Sequence, residues 1–223
     1  MSASVLLLTL QVAIVATMVN LPLALAVSWL VVKKRVRGRF LIDLLVALPL
    51  AIPPVAIGYF LLLLLGRDGP AGAAIRAVLG VDIVFTWVAA ALASAVVSFP
   101  LITRTIMVAM GAVDSRLEMS ARSLGAGPWR VFLTITMPLA YRGILAGVLI
   151  GFVRALSEFG ATVIVAGNIK GQTQTIPLAL FTSVQTGDDQ GALQLVAASI
   201  GLAVVTLLVH NWLLQKSRLQ NVQ

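Results

Sequence analysis

The chain of 223 residues is 60% hydrophobic and 11% charged, with a mean hydropathy of +1.03, which excludes a soluble domain and makes it a single transmembrane unit over residues 1–223. Its formal charge of +8 would suit nucleic acid in a soluble protein, but in a membrane chain the charge matters through its placement, and no nucleic-acid partner is expected. With no cysteine and one histidine, His210, disulfides, thiolate metal sites and cysteine nucleophiles are excluded, and metal or acid–base chemistry is poorly supplied.

The first apolar run, roughly Val5 to Val32, exceeds the ~20 residues that cross a hydrocarbon core and carries Gln11, Asn20 and Pro22. Met1-Ser2-Ala3-Ser4 brings no positive n-region and the run is too long for a cleaved signal, so it is expected to be the first span. Lys33-Lys34-Arg35-Val36-Arg37-Gly38-Arg39 closes it. The second run, about Phe40 to Leu65, contains Pro49 and Pro53-Pro54, which must kink or break its helix near mid-membrane. The freed carbonyls need a protein or water partner there, so this span is expected to be buried or to line a cavity.

Arg67, Asp68, Arg76 and Asp82 mark a loop before a third span, about Ile83 to Thr103. A fourth span from about Gly143 to Ala166 and a fifth from about Ala192 to Leu214 complete an all-α polytopic membrane protein of five transmembrane helices. Residues 104–142, between the third and fourth spans, form the longest polar-rich interruption. Between the last two spans lie the polar stretch Gly167 to Pro177, the apolar piece Leu178 to Val184, too short to cross, and the turn-rich Gly187-Asp188-Asp189-Gln190-Gly191.

Five spans put the termini on opposite sides. Lys33, Lys34, Arg35, Arg37, Arg39, Arg104, Arg116, Arg122, Arg130, Arg142, Lys216 and Arg218 fall on one side, against Arg67, Arg76 and Lys170 on the other. The positive-inside rule then places the N-terminus outside and the C-terminus and residues 104–142 in the cytoplasm.

Within that segment, Ser115 and Glu118 make an S-x-x-E capping box, and Leu117, Ala121 and Leu124 fall on one face of the helix it opens. Gly125-Ala126-Gly127 ends that helix, and Pro128 suits the first turn of a second, in which Trp129, Phe132, Leu133 and Ile135 are interleaved with Arg130, Thr134 and Thr136. This knob either lies on the inner leaflet through Arg116, Arg122 and Arg130 or docks a soluble partner; a lipid-binding helix needs no rigid glycine turn.

In the fourth span Gly143, Gly147, Gly151 and Ala155 form a small-xxx-small stripe that lets another helix approach closely. Arg154 and Glu158 project from nearly the same arc, either as an internal ion pair or as the lining of a hydrated path that suits an anion. Asn168 and Lys170, in a stretch rich in amides and hydroxyls, stand at the presumed outer mouth, where the charge of Lys170 can attract an anion. Pro53 and Pro54 join these as candidates for the translocation path. Trp29, Trp87, Trp129 and Trp212 lie near expected interfaces and read as anchors, and His210 as an interfacial packing residue. The absence of a G-x-x-x-x-G-K-[ST] loop means that the chain does not bind ATP in that way, and without H-E-x-x-H or G-x-S-x-G an intramembrane hydrolase fits poorly, so no catalytic or metal-ligating residue is expected.

The knob resembles the EAA loop of the integral membrane subunits of ABC importers: Glu118, Ala121, Gly125 and Ile135-Thr136-Met137-Pro138 stand in register with the E-A-A…G…I-x-L-P pattern. The likeness extends over nearly the whole chain, toward molybdate importer permeases, through Leu48 to Val55, Ser98 to Leu101, Leu124 to Gly127, Ser157 to Thr162 and Asn168 to Pro177. Sulfate permeases share much of the last two blocks. The resemblance implies a homodimer in the lipid of the bacterial inner membrane, bound to two cytoplasmic ATPase subunits. It receives molybdate and tungstate, or alternatively sulfate or thiosulfate, from a periplasmic or lipid-anchored binding protein. ATP and magnesium would bind the ATPase partner and no cofactor this chain. Residues 104–142 would carry the coupling helix, with Leu117, Glu118, Ala121, Leu124, Gly125 and Pro138 as coupling residues. The pattern departs at Met119, which stands where the strict motif has its acid, at Ser120 for an alanine and at Met137 for a leucine. The docking shape is therefore expected from Leu117, Ala121, Leu124 and Gly125 ahead of Glu118.

Overall fold

The computed structural model describes residues 3–34 and 38–219. Arg35, Val36 and Arg37 of the basic cluster, and the side chains of His210, Lys216 and Arg218, lie outside the described residues. The elements run in the order α1 (Ala3–Val32), α2 (Arg39–Ala51), α3 (Pro54–Leu65), α4 (Pro70–Leu79), α5 (Trp87–Gly111), α6 (Ser115–Ser123), α7 (Pro128–Val131), a π-helical segment (Phe132–Thr136), α8 (Met137–Leu156), α9 (Gly160–Val165), α10 (Ile176–Thr186) and α11 (Asp189–Leu219). Among the described residues four stretches are long and apolar enough to cross a membrane: α1, α5, Pro128–Leu156 and α11; the pair α2–α3, bent by 108°, supplies a fifth if taken as one span.

The bend has the expected cause. Pro53 stands in extended conformation as the cap of α3 and Pro54 is its first residue, so the ladder from α2 cannot continue. Pro49, by contrast, is accommodated inside α2.

α5 is the central pillar, and small side chains bring its neighbours close. Ala89, Ala90, Ala91, Ala93 and Ala95 are buried along it. The side-chain nitrogen of Asn20, in α1, donates to the Ala95 carbonyl at 2.9 Å and to Ser98 Oγ at 3.0 Å, and Ser28 Oγ donates to the Thr103 carbonyl at 3.2 Å. These bonds satisfy polar groups that lipid could not. On the other side the glycine stripe of α8 meets α5: a Cβ on Gly143 would overlap Ala109, one on Gly147 would lie 3.2 Å from the Ile102 carbonyl oxygen, and one on Gly151 would overlap the Ile102 side chain. The close approach expected of the stripe is thus used within the chain.

Three expected boundaries move. The third span begins later and runs on past Arg104 to Gly111, because the half-exposed Arg104 stands 3.9 Å from Asp43 of α2 instead of ending the helix. The second helix expected at Pro128 forms, but it runs without a break into α8 instead of ending before a span at Gly143; Val131, Phe132, Thr136 and Ala140 face inward while Arg130, Leu133, Thr134 and Leu139 are exposed. The fourth span ends at Leu156 rather than Ala166: Glu158 leaves the helix to accept from the Ala161 amide, and the chain restarts as α9 at Gly160.

Candidate functional site

The knob is built around Gly125. Asp114, not Ser115, caps α6: its Oδ1 accepts from the Arg116 amide at 2.9 Å, and Ser115 is the first helical residue. The expected capping box is absent because a better acceptor sits one position earlier. At the far end Leu124 closes the helix, and Gly125 turns with φ +86°, so that its amide donates to the Arg122 carbonyl at 2.9 Å and the Ala126 amide to the Ala121 carbonyl at 3.0 Å. Leu117, Met119 and Leu124 point outward, Leu124 with 89% of its surface exposed, and Ala121 is half-buried between them. Leu117, Ala121 and Leu124, at i, i+4 and i+7, leave an apolar stripe on the outer face of an otherwise polar helix.

Glu118 does the opposite. It is the one buried residue of α6, and its Oε1 lies 2.9 Å from Lys33 Nζ at the end of α1 and accepts from Thr136 Oγ1 at 2.6 Å. It does not reach the surface on which Leu117 and Leu124 lie. Pro138 is the second residue of α8, one past Met137, whose amide closes the π-helical segment by bonding the Phe132 carbonyl five residues back. The second half of the knob is pinned to α1 by rings: Trp129 stacks on Phe132 at 5.4 Å, and Trp29 meets the edges of both at 6.3 and 5.9 Å. Lys34 Nζ stands 4.6 Å over the Trp29 ring. Trp29 and Trp129, expected to be separate anchors, are partners in one cluster.

A second group gathers where two helices break. Arg154 Nη1 lies 2.8 Å from Glu158 Oε2, and Glu158 Oε1 accepts from the Ala161 amide at 2.7 Å, capping α9. Glu158 is 3% exposed and the Arg154 side chain 27%. Glu158 therefore leaves the helix that carries Arg154 and fills the gap to the next. The proline break of α2–α3 stands against this gap: a Cβ on Gly160 would lie 3.1 Å from Pro54 Cβ, and one on Gly58 would lie 2.5 Å from the Ala161 carbonyl oxygen. The structure thus sets Pro54 against Gly160, two residues after Glu158, and pairs Glu158 with Arg154.

Asn168 and Lys170 belong to a neighbouring group. Asn168 Nδ2 donates to Thr182 Oγ1 at 2.8 Å, and its Oδ1 accepts from Gln174 Nε2 at 3.0 Å. Lys170 is exposed and lines a cavity of about 280 Å³ with Gln174, Thr182, Ser183, Thr186 and Asp188. Phe159, in the gap after α8, packs on Phe181 of α10 with centroids 5.1 Å apart and links the two groups. Lys33 and Thr136 are site residues that the sequence does not single out. The only signal of them was a lysine at the end of a span and a threonine just before Met137-Pro138.

A helical membrane chain with broken spans and a protruding helix–turn–helix knob has the form of a transport component. The chain belongs to the family of binding-protein-dependent transport system inner membrane components, whose model matches residues 8–219. It is 46% identical to the molybdenum transport system permease protein ModB of Escherichia coli K12 over 95% of this chain and 93% of that one. Its identity to ModB of Haemophilus influenzae is 44%, over 96% of this chain and 93% of the other. The fold is similar to a chain of the MetNI methionine ABC transporter in inward-facing conformations, with a TM-score of 0.74, 15% identity and coverage of 97% of this chain and 99% of that one.

Proposed function

We propose that the chain is the permease subunit of an ATP-driven importer that passes molybdate, and tungstate with it, to the cytoplasm. The observation that carries the substrate is the 46% identity over almost the whole chain to a relative named for molybdenum transport. Two copies would form the path, with the exposed apolar faces of α11, including Leu193, Ile200, Val204 and Leu208, available to lipid and to the second copy. The N-terminus would face outward and the C-terminus the cytoplasm, in keeping with the basic residues at the inner ends of the spans.

Two cytoplasmic ATPase subunits would bind ATP and magnesium and seat on the ridge of Leu117, Ala121 and Leu124, which the Gly125 turn holds out. A binding protein would deliver the oxyanion at the opposite face, near Lys170 and Asn168. Arg154 offers a positive charge on the way, and its pairing with Glu158 keeps that charge from retaining the anion tightly. Competition uptake tests the reading: excess tungstate should suppress entry of labelled molybdate and equimolar sulfate should not. Suppression by sulfate at equal concentration would transfer the assignment to a sulfate or thiosulfate importer, and uptake without any ATPase would make the chain a channel or carrier.

A further inference from the structure

A surface helix between two short linkers has no need to bury a charge, since a carboxylate left in water costs nothing and a buried one must be fully partnered. α6 nevertheless exposes its apolar residues and buries its acid. Glu118 is 6% exposed while Leu117, Met119 and Leu124 are between 49% and 89% exposed. The inversion has a defined geometry. Lys33, whose side chain is only 9% exposed, brings Nζ to 2.9 Å from Glu118 Oε1 and donates from the same nitrogen to the Val113 carbonyl at 3.4 Å. Thr136, 2% exposed, donates its hydroxyl to the same Oε1.

The inner end of α1 and the π-helical turn that opens the long helix to Leu156 therefore converge on one carboxylate, and the linker that enters α6 joins them through Lys33. The π turn contributes to this directly. Thr134 donates to the Arg130 carbonyl four residues back, as a helical threonine usually does. Thr136 makes no such bond and turns to Glu118, in the segment where the extra residue of a π turn changes the phase of the side chains.

We propose that Glu118 is a positioning residue that locks the knob, the inner end of α1 and the start of the long helix into one rigid body. Its role is to carry the movement of the docked ATPase into both helices, and it makes no contact with the ATPase itself. Without the lock, α6 hangs on Ala112 to Asp114 and Leu124 to Gly127, and a push on its outer ridge is absorbed by those links. The proposal rests on the reading of the knob as the docking element.

The test uses the complete transporter, permease with ATPase and binding protein, in proteoliposomes, with copurification, ATP hydrolysis and labelled-molybdate uptake measured together. Glu118→Gln and Lys33→Gln should keep the ATPase bound and hydrolysing at the basal rate, while molybdate imported per ATP falls about tenfold, a typical coupling free energy between sites. The charge-swapped pair Lys33→Glu with Glu118→Lys should recover only part of the loss, because it restores the ion pair but sets the new carboxylate against the Val113 carbonyl, which loses its donor. Thr136→Val should lower the ratio less, and Thr136→Ser should leave it unchanged. Leu124→Arg reports on docking separately, through loss of copurification. If Leu124→Arg retains both the ATPase and transport, the docking reading fails and the lock with it. If Leu124→Arg sheds the ATPase but Glu118→Gln sheds it too, or leaves the transport-to-hydrolysis ratio intact, docking stands and the lock is overturned. Should neither single variant accumulate in the membrane, Thr136→Val decides: a lowered transport-to-hydrolysis ratio with the ATPase still bound supports the lock, and an unchanged ratio refutes it.

Discussion

The Arg154 guanidinium meets Glu158 at 2.8 Å across the end of α8, and the second oxygen of the same carboxylate accepts from the Ala161 amide, so one buried side chain both neutralises a cation and begins the next helix. The ion pair and the break are therefore one feature. An interrupted helix at membrane depth is tolerated only where its free backbone groups find partners in protein or in a water-filled cavity, and Glu158 supplies one of those partners.

The first prediction concerns that pair. Arg154→Ala leaves a carboxylate 2% exposed without its counter-charge, a change worth about 3 kcal/mol, the lower end of the range for a broken buried pair because Arg154 is partly solvated. Thermal melting of the detergent-solubilised protein should fall clearly for Arg154→Ala and recover in Arg154→Ala with Glu158→Gln, which keeps an acceptor for Ala161. Molybdate uptake should stay low in the double variant if the arginine serves the anion. Full uptake by a folded double variant would leave the pair a structural role only.

Gly125 gives a graded prediction. An added Cβ meets no atom within 4 Å, so the penalty of substitution is backbone strain alone, at φ +86°, about 1–2 kcal/mol for an ordinary residue in the left-handed region. Copurified ATPase should decline in the order Gly125, Asn, Ala, Val, since Asn tolerates that region better than the others. Equal retention across the series would show that the shape of the turn does not govern docking.

These two sites differ in how much of them could be read from residue order. Pro53-Pro54, Gly125 and Pro128 act through local backbone chemistry, and a break, a left-handed turn and a helix start all occur where those residues stand. The apolar runs likewise located the helices, because periodicity is a local property. The burial of Glu118 is not legible in residue order because its environment is not local: Lys33 comes from the end of α1 far earlier in the chain, and Thr136 from beyond the glycine turn. The end of the fourth span was missed for a related reason. Phe159 to Ala166 is as apolar as a span continues to be, and only the reach of Glu158 to Ala161, together with the seat of Gly160 against Pro54, ends the helix at Leu156. Asp114 displaced Ser115 as cap because two capping residues stood side by side and their order alone does not choose.

The glycine stripe yields a paired prediction. Gly151→Ala places a methyl on the Ile102 side chain, which is itself fully buried, and overpacking of this kind costs about 1–3 kcal/mol. Ile102→Ala alone opens a cavity and should also destabilise. Together the two changes exchange volume across the α5–α8 contact, so the double variant should melt above the sum of the single losses. Strict additivity would mean that α5 and α8 separate in solution more readily than their contact implies.

The last prediction addresses the seam between the two broken spans. Gly58 in α3 faces Ala161 in α9 so closely that a Cβ would lie 2.5 Å from its carbonyl oxygen and 2.8 Å from its Cα, both backbone atoms that no rotamer change can move. Gly58→Ala must therefore push α3 off α9, whereas substitution at Gly38, which meets nothing within 4 Å, introduces only the strain of its positive φ. If the seam positions the Pro54 break against the Arg154–Glu158 pair, Gly58→Ala should cut molybdate uptake while leaving ATPase copurification unchanged, because the knob is built from other helices. Loss of copurification alongside uptake would instead mean that the seam supports the whole fold. Uptake at the wild-type level would separate the proline break from the path.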